Sequence, residues 1–162
     1  MYRAVVLLVG VVVLVKTDLD VRRCLETAVL NSGCCRFNIT EEKAAMMWKC
    51  AEASYPEPHS CVFETCVGEN SGFLLSNGTI DKTLLEATLA VDYENNTDIL
   101  EIVKEKCLVD DMSVYGPPGM CDAKKIANCL RAFTVVNCPL WVDSDYCNKV
   151  RDEVEKCESV FP

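Results

Sequence analysis

The residues with the greatest chemical capacity in this chain are its cysteines, 12 in 162 residues. Free thiolates would be nucleophiles or metal ligands. Oxidised in pairs they are cross-links, the default in an exported chain with an even count. Cysteine-based zinc sites usually show C-x-x-C spacing with histidine support. This sequence has no C-x-x-C and one histidine, His59, beside Pro58. Six disulfides are therefore expected, with no metal and no free thiolate.

Other catalytic constellations are missing from the sequence. Carboxylates occur in pairs, as at Glu41-Glu42 and Asp110-Asp111, in the manner of solvated helix faces and capping charges. There is no G-x-S-x-G, no H-E-x-x-H and no phosphate loop. Paired cysteines on a helix are a feature of secreted phospholipases, and Gly33-Cys34-Cys35 invites that comparison. Arg36, Phe37 and Asn38 follow, so no histidine stands where such an enzyme keeps its general base. The sequence predicts a non-enzyme without a cofactor.

The elements that position the cysteines begin after an apolar run. Arg3 precedes twelve apolar residues from Ala4 to Val15, and Lys16 follows. That is too short to span a bilayer and fits the core of a secretory signal peptide over residues 1–17. The remainder, 18–162, has the length of one domain. The net charge is −9, and loss of Arg3 and Lys16 would leave a still more acidic chain. Such a surface repels phosphate backbones, so nucleic acid is not an expected partner.

Apolar spacing is helical almost throughout, and the fold class read from it is all-α. A first helix is predicted over Leu19–Leu30. A second follows Thr40 as cap and stops at Pro56 and Pro58, and a short third runs from His59 to Val67. A fourth is capped by Thr79 and a fifth by Thr97. A sixth covers Asp122–Val135 and a seventh Asp143–Ser159. The sequons at Asn38, Asn77 and Asn95 are candidate glycan sites, although each threonine stands where a helix is predicted to begin.

Helix geometry limits the bridges. Cys147 and Cys157 lie ten residues apart on one predicted helix, about 15 Å along its axis. A disulfide needs α-carbons within about 7 Å, so each must tie that helix to another element. The neighbours Cys34 and Cys35 should reach two different partners. Cys24 should pair with neither of them.

The spacing of the ladder carries a resemblance. From Cys35, 25 residues lead to Cys61, four to Cys66 and 40 to Cys107; eight residues separate Cys129 from Cys138. This resembles the six-cysteine ladder of insect odorant-binding proteins, with four residues where the family usually has three between its second and third cysteines. The Cys138-Pro139 dipeptide and the extra cysteines Cys24, Cys34 or Cys35, Cys50, Cys121, Cys147 and Cys157 resemble the Plus-C subclass. The resemblance implies six to seven short helices around an apolar cavity, cross-linked by about six disulfides. It implies pairings Cys35–Cys66, Cys61–Cys129 and Cys107–Cys138, with Cys34 a rival for the first position and the remaining six cysteines unassigned.

The implied function is a secreted carrier of small hydrophobic, odorant-like molecules in sensory lymph, acting as monomer or homodimer. A membrane odorant receptor or another odorant-binding protein would be its protein partner. A cavity for such ligands is lined by aliphatic and aromatic side chains. Candidates are Phe63, Phe73, Leu74, Leu89, Tyr93, Leu100, Val103, Met112, Tyr115, Phe133 and Trp141, with Met46, Met47 and Trp48 a second, adaptable cluster. The competing readings are a disulfide-rich protein-interaction module and a lipid or hormone scavenger on the same fold.

Overall fold

The computed structural model describes residues 20–55, 60–109, 111–157 and 160–161. The expected leader over 1–17, the prolines 56 and 58, His59 and most of 158–162 lie outside them. Among the described residues seven α-helices are joined by short turns: α1 (20–30), α2 (Glu41–Ser54), α3 (Val62–Asn70), α4 (Lys82–Asp92), α5 (Thr97–Cys107), α6 (Asp122–Val136) and α7 (Asp145–Val154). The only extended pairings among them are isolated bridges, Cys35 with Trp141 and Leu74 with Ile80. The all-α class is as the sequence predicts. No described helix is long and apolar enough to cross a membrane.

Local chemistry sets the helix starts. Thr40 Oγ1 accepts from the Lys43 N–H at 3.2 Å, and Glu41 and Glu42 add negative charge to the first turn of α2, complementing its dipole. Ser144 caps α7 in the same way through the Cys147 N–H. Two predicted caps are corrected. Asp81, not Thr79, starts α4, its carboxylate accepting from the Thr83 and Leu84 N–H groups at 3.0 and 3.1 Å. Thr79 instead donates its N–H to Asn77 Oδ1 in the preceding turn. Thr97 is already the first residue of α5, and Asn96 stands at the cap position without a side-chain bond. Helix α3 is displaced toward the C-terminus, from Val62 to Asn70 rather than His59 to Val67. Helix α7 gives way after Val154 to a 3₁₀ turn, Glu155–Cys157.

Helix α6 is the central strut. Its 3.6-residue stripe buries Ala123, Ile126, Cys129, Ala132, Phe133 and Val135. Helices α3 and α5 pack on it, α2 packs on α3, and α4 against α5. The core joins Leu85, Leu89 and Tyr93 of α4 and its C-cap to Val103 of α5, Tyr115 of the α5–α6 connection, and Val150 and Val154 of α7. Helix α3 approaches the following turn so closely that a Cβ on Gly68 would stand 2.9 Å from the Leu74 Cβ.

Six disulfides join the twelve cysteines, and none is free. As the helix ruler requires, Cys34 and Cys35 reach different partners, Cys147 and Cys138, and Cys157 pairs with Cys24. The pairings implied by the resemblance are corrected: Cys35–Cys66, Cys61–Cys129 and Cys107–Cys138 do not form. Helices α2 and α3 make a hairpin that sets Cys66 opposite Cys50, with α-carbons 5.5 Å apart. Helices α5 and α6 make another that sets Cys129 opposite Cys107 at 5.7 Å. Cys61, at the start of α3, meets Cys121 at the start of α6. Cys35 lies in an extended segment laid along residues 140–142 by the Arg36 N–H to Leu140 O and Val142 N–H to Cys34 O bonds, which brings Cys138 to it. In each case the cysteine that helix packing or the extended pairing brings alongside takes the partner. A domain of this size with six disulfides is typical of extracellular proteins.

Candidate functional site

Helices α2, α3, α4 and α6 and the extended segment after α1 line a cavity of about 330 Å³ that is open to solvent on one side. The size is at the lower end of the range for small-molecule sites. The extended segment contributes Phe37 and Ile39, α2 Lys43 and Met47, and α3 Phe63, Glu64 and Val67. Phe73 follows from the turn, Leu85, Leu89, Asp92 and Tyr93 from α4 and its C-cap, and Ile126, Ala127, Leu130, Arg131 and Thr134 from α6. The Phe37 ring stands 4.7 Å from that of Tyr93, tilted against it. Exposed Ile39 and the partly buried Lys43–Asp92 ion pair, which links α2 to α4, mark the side nearest solvent.

Polar groups are few, and their protons can be counted. Thr134 Oγ1 lies 2.7 Å from the Leu130 carbonyl and 2.7 Å from Tyr93 Oη. A carbonyl only accepts, so the single threonine proton goes to Leu130, and the Tyr93 hydroxyl donates to Thr134. Tyr93 Oη is left as an acceptor. Burial pushes the Tyr93 phenol above its ordinary pKa; the Thr134 bond opposes this and Asp92 adds to it. Glu64, on the first turn of α3, is 8 % exposed. Its Oε1 lies 3.7 Å from Arg131 Nη2, an ion-pair distance too long for a hydrogen bond. Its Oε2 is buried without any partner. Leaving a buried acceptor unsatisfied costs about 1–3 kcal/mol, more for a charged group.

The predicted lining residues divide. Phe63, Phe73, Leu89 and Tyr93 line the cavity. Leu74, Val103, Met112 and Phe133 are buried core residues outside its wall, and Leu100 and Trp141 are half-buried against that core. Tyr115, also buried, lines a separate groove of about 640 Å³ between α1 and the Pro117-Pro118 loop. That groove is larger, but its wall includes exposed Arg22 and Glu26, and its buried Asn128 already donates to the Tyr115 carbonyl at 3.0 Å, whereas Glu64 in the smaller cavity keeps an oxygen without a partner. We therefore place the candidate site in the smaller cavity. Of the methionine cluster, Met47 lines it, whereas Trp48 is 72 % exposed.

Apolar type alone could not have found Glu64, Arg131 and Thr134. The i, i+1, i+4, i+5, i+8 run Ile126, Ala127, Leu130, Arg131, Thr134 on one face of α6 was the available signal. Asn38, Asn77 and Asn95 are all exposed. Among the described residues no group of three or more His, Cys, Asp or Glu side chains is arranged to hold a metal ion. No protein-family model, curated protein or solved structure matches the chain.

Proposed function

We propose that this protein is a secreted, non-catalytic carrier of small hydrophobic molecules, of the kind represented by the Plus-C insect odorant-binding proteins. The observation that carries the reading is the cavity itself: about 330 Å³, walled by aliphatic and aromatic side chains from four helices, of which α2, α3 and α6 are joined by disulfides. A packed core of this kind normally leaves few voids larger than a water molecule. Six bridges supply stability that does not depend on filling this one. The cysteine spacing and the Cys138-Pro139 dipeptide support the family assignment; the bridge pattern departs from the one the family implies.

The test is a titration of the oxidised protein with N-phenyl-1-naphthylamine, followed by displacement with volatile alcohols, aldehydes and phenols. Saturable micromolar binding, abolished by Leu89→Trp or Ala127→Trp in the cavity wall but not by Tyr115→Phe outside it, is the expected result. Absence of binding by correctly bridged protein would sink the carrier reading. A protein-interaction module is the second reading, favoured by the exposed aromatic pair Trp48 and Tyr55, 72 % and 85 % exposed on one side of α2. Small-molecule binding does not need that pair, so Trp48→Ala with Tyr55→Ala should leave probe affinity unchanged while weakening any association with a receptor or a second carrier.

A further inference from the structure

We infer that the ligand of this cavity is a neutral apolar molecule ending in a hydroxyl group, held by a hydrogen bond from that hydroxyl to Glu64. The inference rests on the carrier reading and names the chemistry the carrier selects.

The charges on the wall come in pairs. Lys43 faces Asp92 and Arg131 faces Glu64. A carboxylate ligand would find both cations already matched, and an ammonium ligand both anions. A neutral group leaves the two pairs undisturbed. What the wall lacks is a donor for its acceptors. Glu64 receives no hydrogen bond on Oε2, and Arg131 is too distant to give one to Oε1. Tyr93 Oη has donated its proton to Thr134 and can only accept. A methyl ether, ester or aldehyde can accept from Arg131 but leaves Glu64 Oε2 without a donor. A hydroxyl donates to the carboxylate, and its oxygen remains able to accept from the Arg131 guanidinium. Charge-assisted bonds of this kind are the stronger ones in a low-dielectric site.

The experiment compares matched pairs, 4-propylphenol against 4-propylanisole and 1-octanol against methyl heptyl ether, by displacement of N-phenyl-1-naphthylamine. The oxidised wild-type protein is compared with its Glu64→Gln and Glu64→Leu variants. Wild type should bind each hydroxyl compound roughly tenfold or more tighter than its ether, the scale of a hydrogen bond to a charged acceptor. In Glu64→Leu the ratio should fall toward one while the probe still binds. In Glu64→Gln, which keeps size and an uncharged acceptor, it should be intermediate. A wild-type ratio near one, with all compounds displacing the probe, overturns the inference and leaves the carrier intact. A ratio that persists in both variants overturns the assignment to Glu64. Failure of wild type to bind the probe or any of the four compounds is instead the failure of the carrier reading, and the inference falls with it.

Discussion

Tyr93 shows how one side chain ties the cavity to the stability of the domain. Its phenol is buried and its pKa is raised above the ordinary value, as burial also does for Tyr115. A raised folded-state pKa means that the neutral form fits the fold. The stabilisation is fully present below the unfolded value near 10 and is lost as pH rises through the higher folded value. The urea midpoint of wild type should therefore decline on going from pH 9 to pH 11. Tyr93→Phe should decline less steeply; parallel curves would remove Tyr93 as the cause. At Gly68 the expectation is steric. An alanine there must push Leu74 aside, and Gly68→Ala should cost about 1–3 kcal/mol as an overpacking defect, read from denaturant unfolding. Residue by residue, hydrophobic type separated wall from core poorly: Val103 and Phe133 meet the same criterion as Phe63 and Leu89, yet point elsewhere. Glu64 and Arg131 lie 67 positions apart in the sequence, and only the packing of α3 on α6 makes them a pair.

Among the elements, α2 is attached chiefly to a single neighbour. It packs on α3, is bridged to it by Cys50–Cys66, and reaches α4 through the Lys43–Asp92 pair. Removing that pair with Lys43→Met and Asp92→Asn should change stability by only about 1 kcal/mol, since replacing both partners leaves no buried charge unpaired. It should nevertheless quicken probe release in stopped-flow displacement, because α2 then has no polar tie across the cavity. An unchanged release rate would mean that α2 does not govern the opening. Replacing Cys50 and Cys66 by serine opens a loop of modest span and should cost about 3 kcal/mol in the chain-entropy treatment, seen as a lower Tm. Helix existence was legible in α5, α6 and α7 from a 3.6-residue apolar stripe, and in α2 from its Thr40 cap and the prolines that follow it. The starts were less so. Thr79 and Asp81 both satisfy the capping pattern, and the choice fell to Asp81 because Asn77-Gly78 forms a turn that already engages Thr79, with Gly78 at φ +81°.

For the molecule as a whole, three bridges span most of the chain, Cys24–Cys157, Cys34–Cys147 and Cys35–Cys138, with sequence separations of 133, 113 and 103. The first two clasp α1 and the turn after it to α7 and its 3₁₀ continuation through cysteines outside the cavity wall; the third ties the extended segment, whose Cys35 lines the cavity, to the residues after α6. Replacing Cys24 and Cys157 by serine should therefore lower Tm more than loss of Cys50–Cys66, by the logarithm of loop length, and still leave probe affinity within about twofold of wild type. A large loss of affinity would show that the clasp shapes the cavity. The cysteine count and helix lengths were enough to predict that all twelve would pair, and that Cys147 and Cys157 would not pair with each other. They could not rank the partners, because ranking depends on which helices lie side by side. Cys50 and Cys121 won Cys66 and Cys61 through contacts that spacing does not encode.

The same clasp sets a timetable for oxidation. As the chain is synthesised from its N-terminus, Cys50–Cys66 can close as soon as the α2–α3 hairpin is made. Cys24, Cys34 and Cys35 must remain reduced until their partners at 157, 147 and 138 have been added. At about 5–20 residues per second, the 103 residues between Cys35 and Cys138 keep these thiols waiting for roughly 5–20 seconds. During that interval Cys34 and Cys35 are exposed to the wrong partner Cys61, and to Cys50 and Cys66 until that pair has closed. Maturation of this protein is thus a problem of protecting early thiols, one that a disulfide isomerase would solve and an oxidant alone would not.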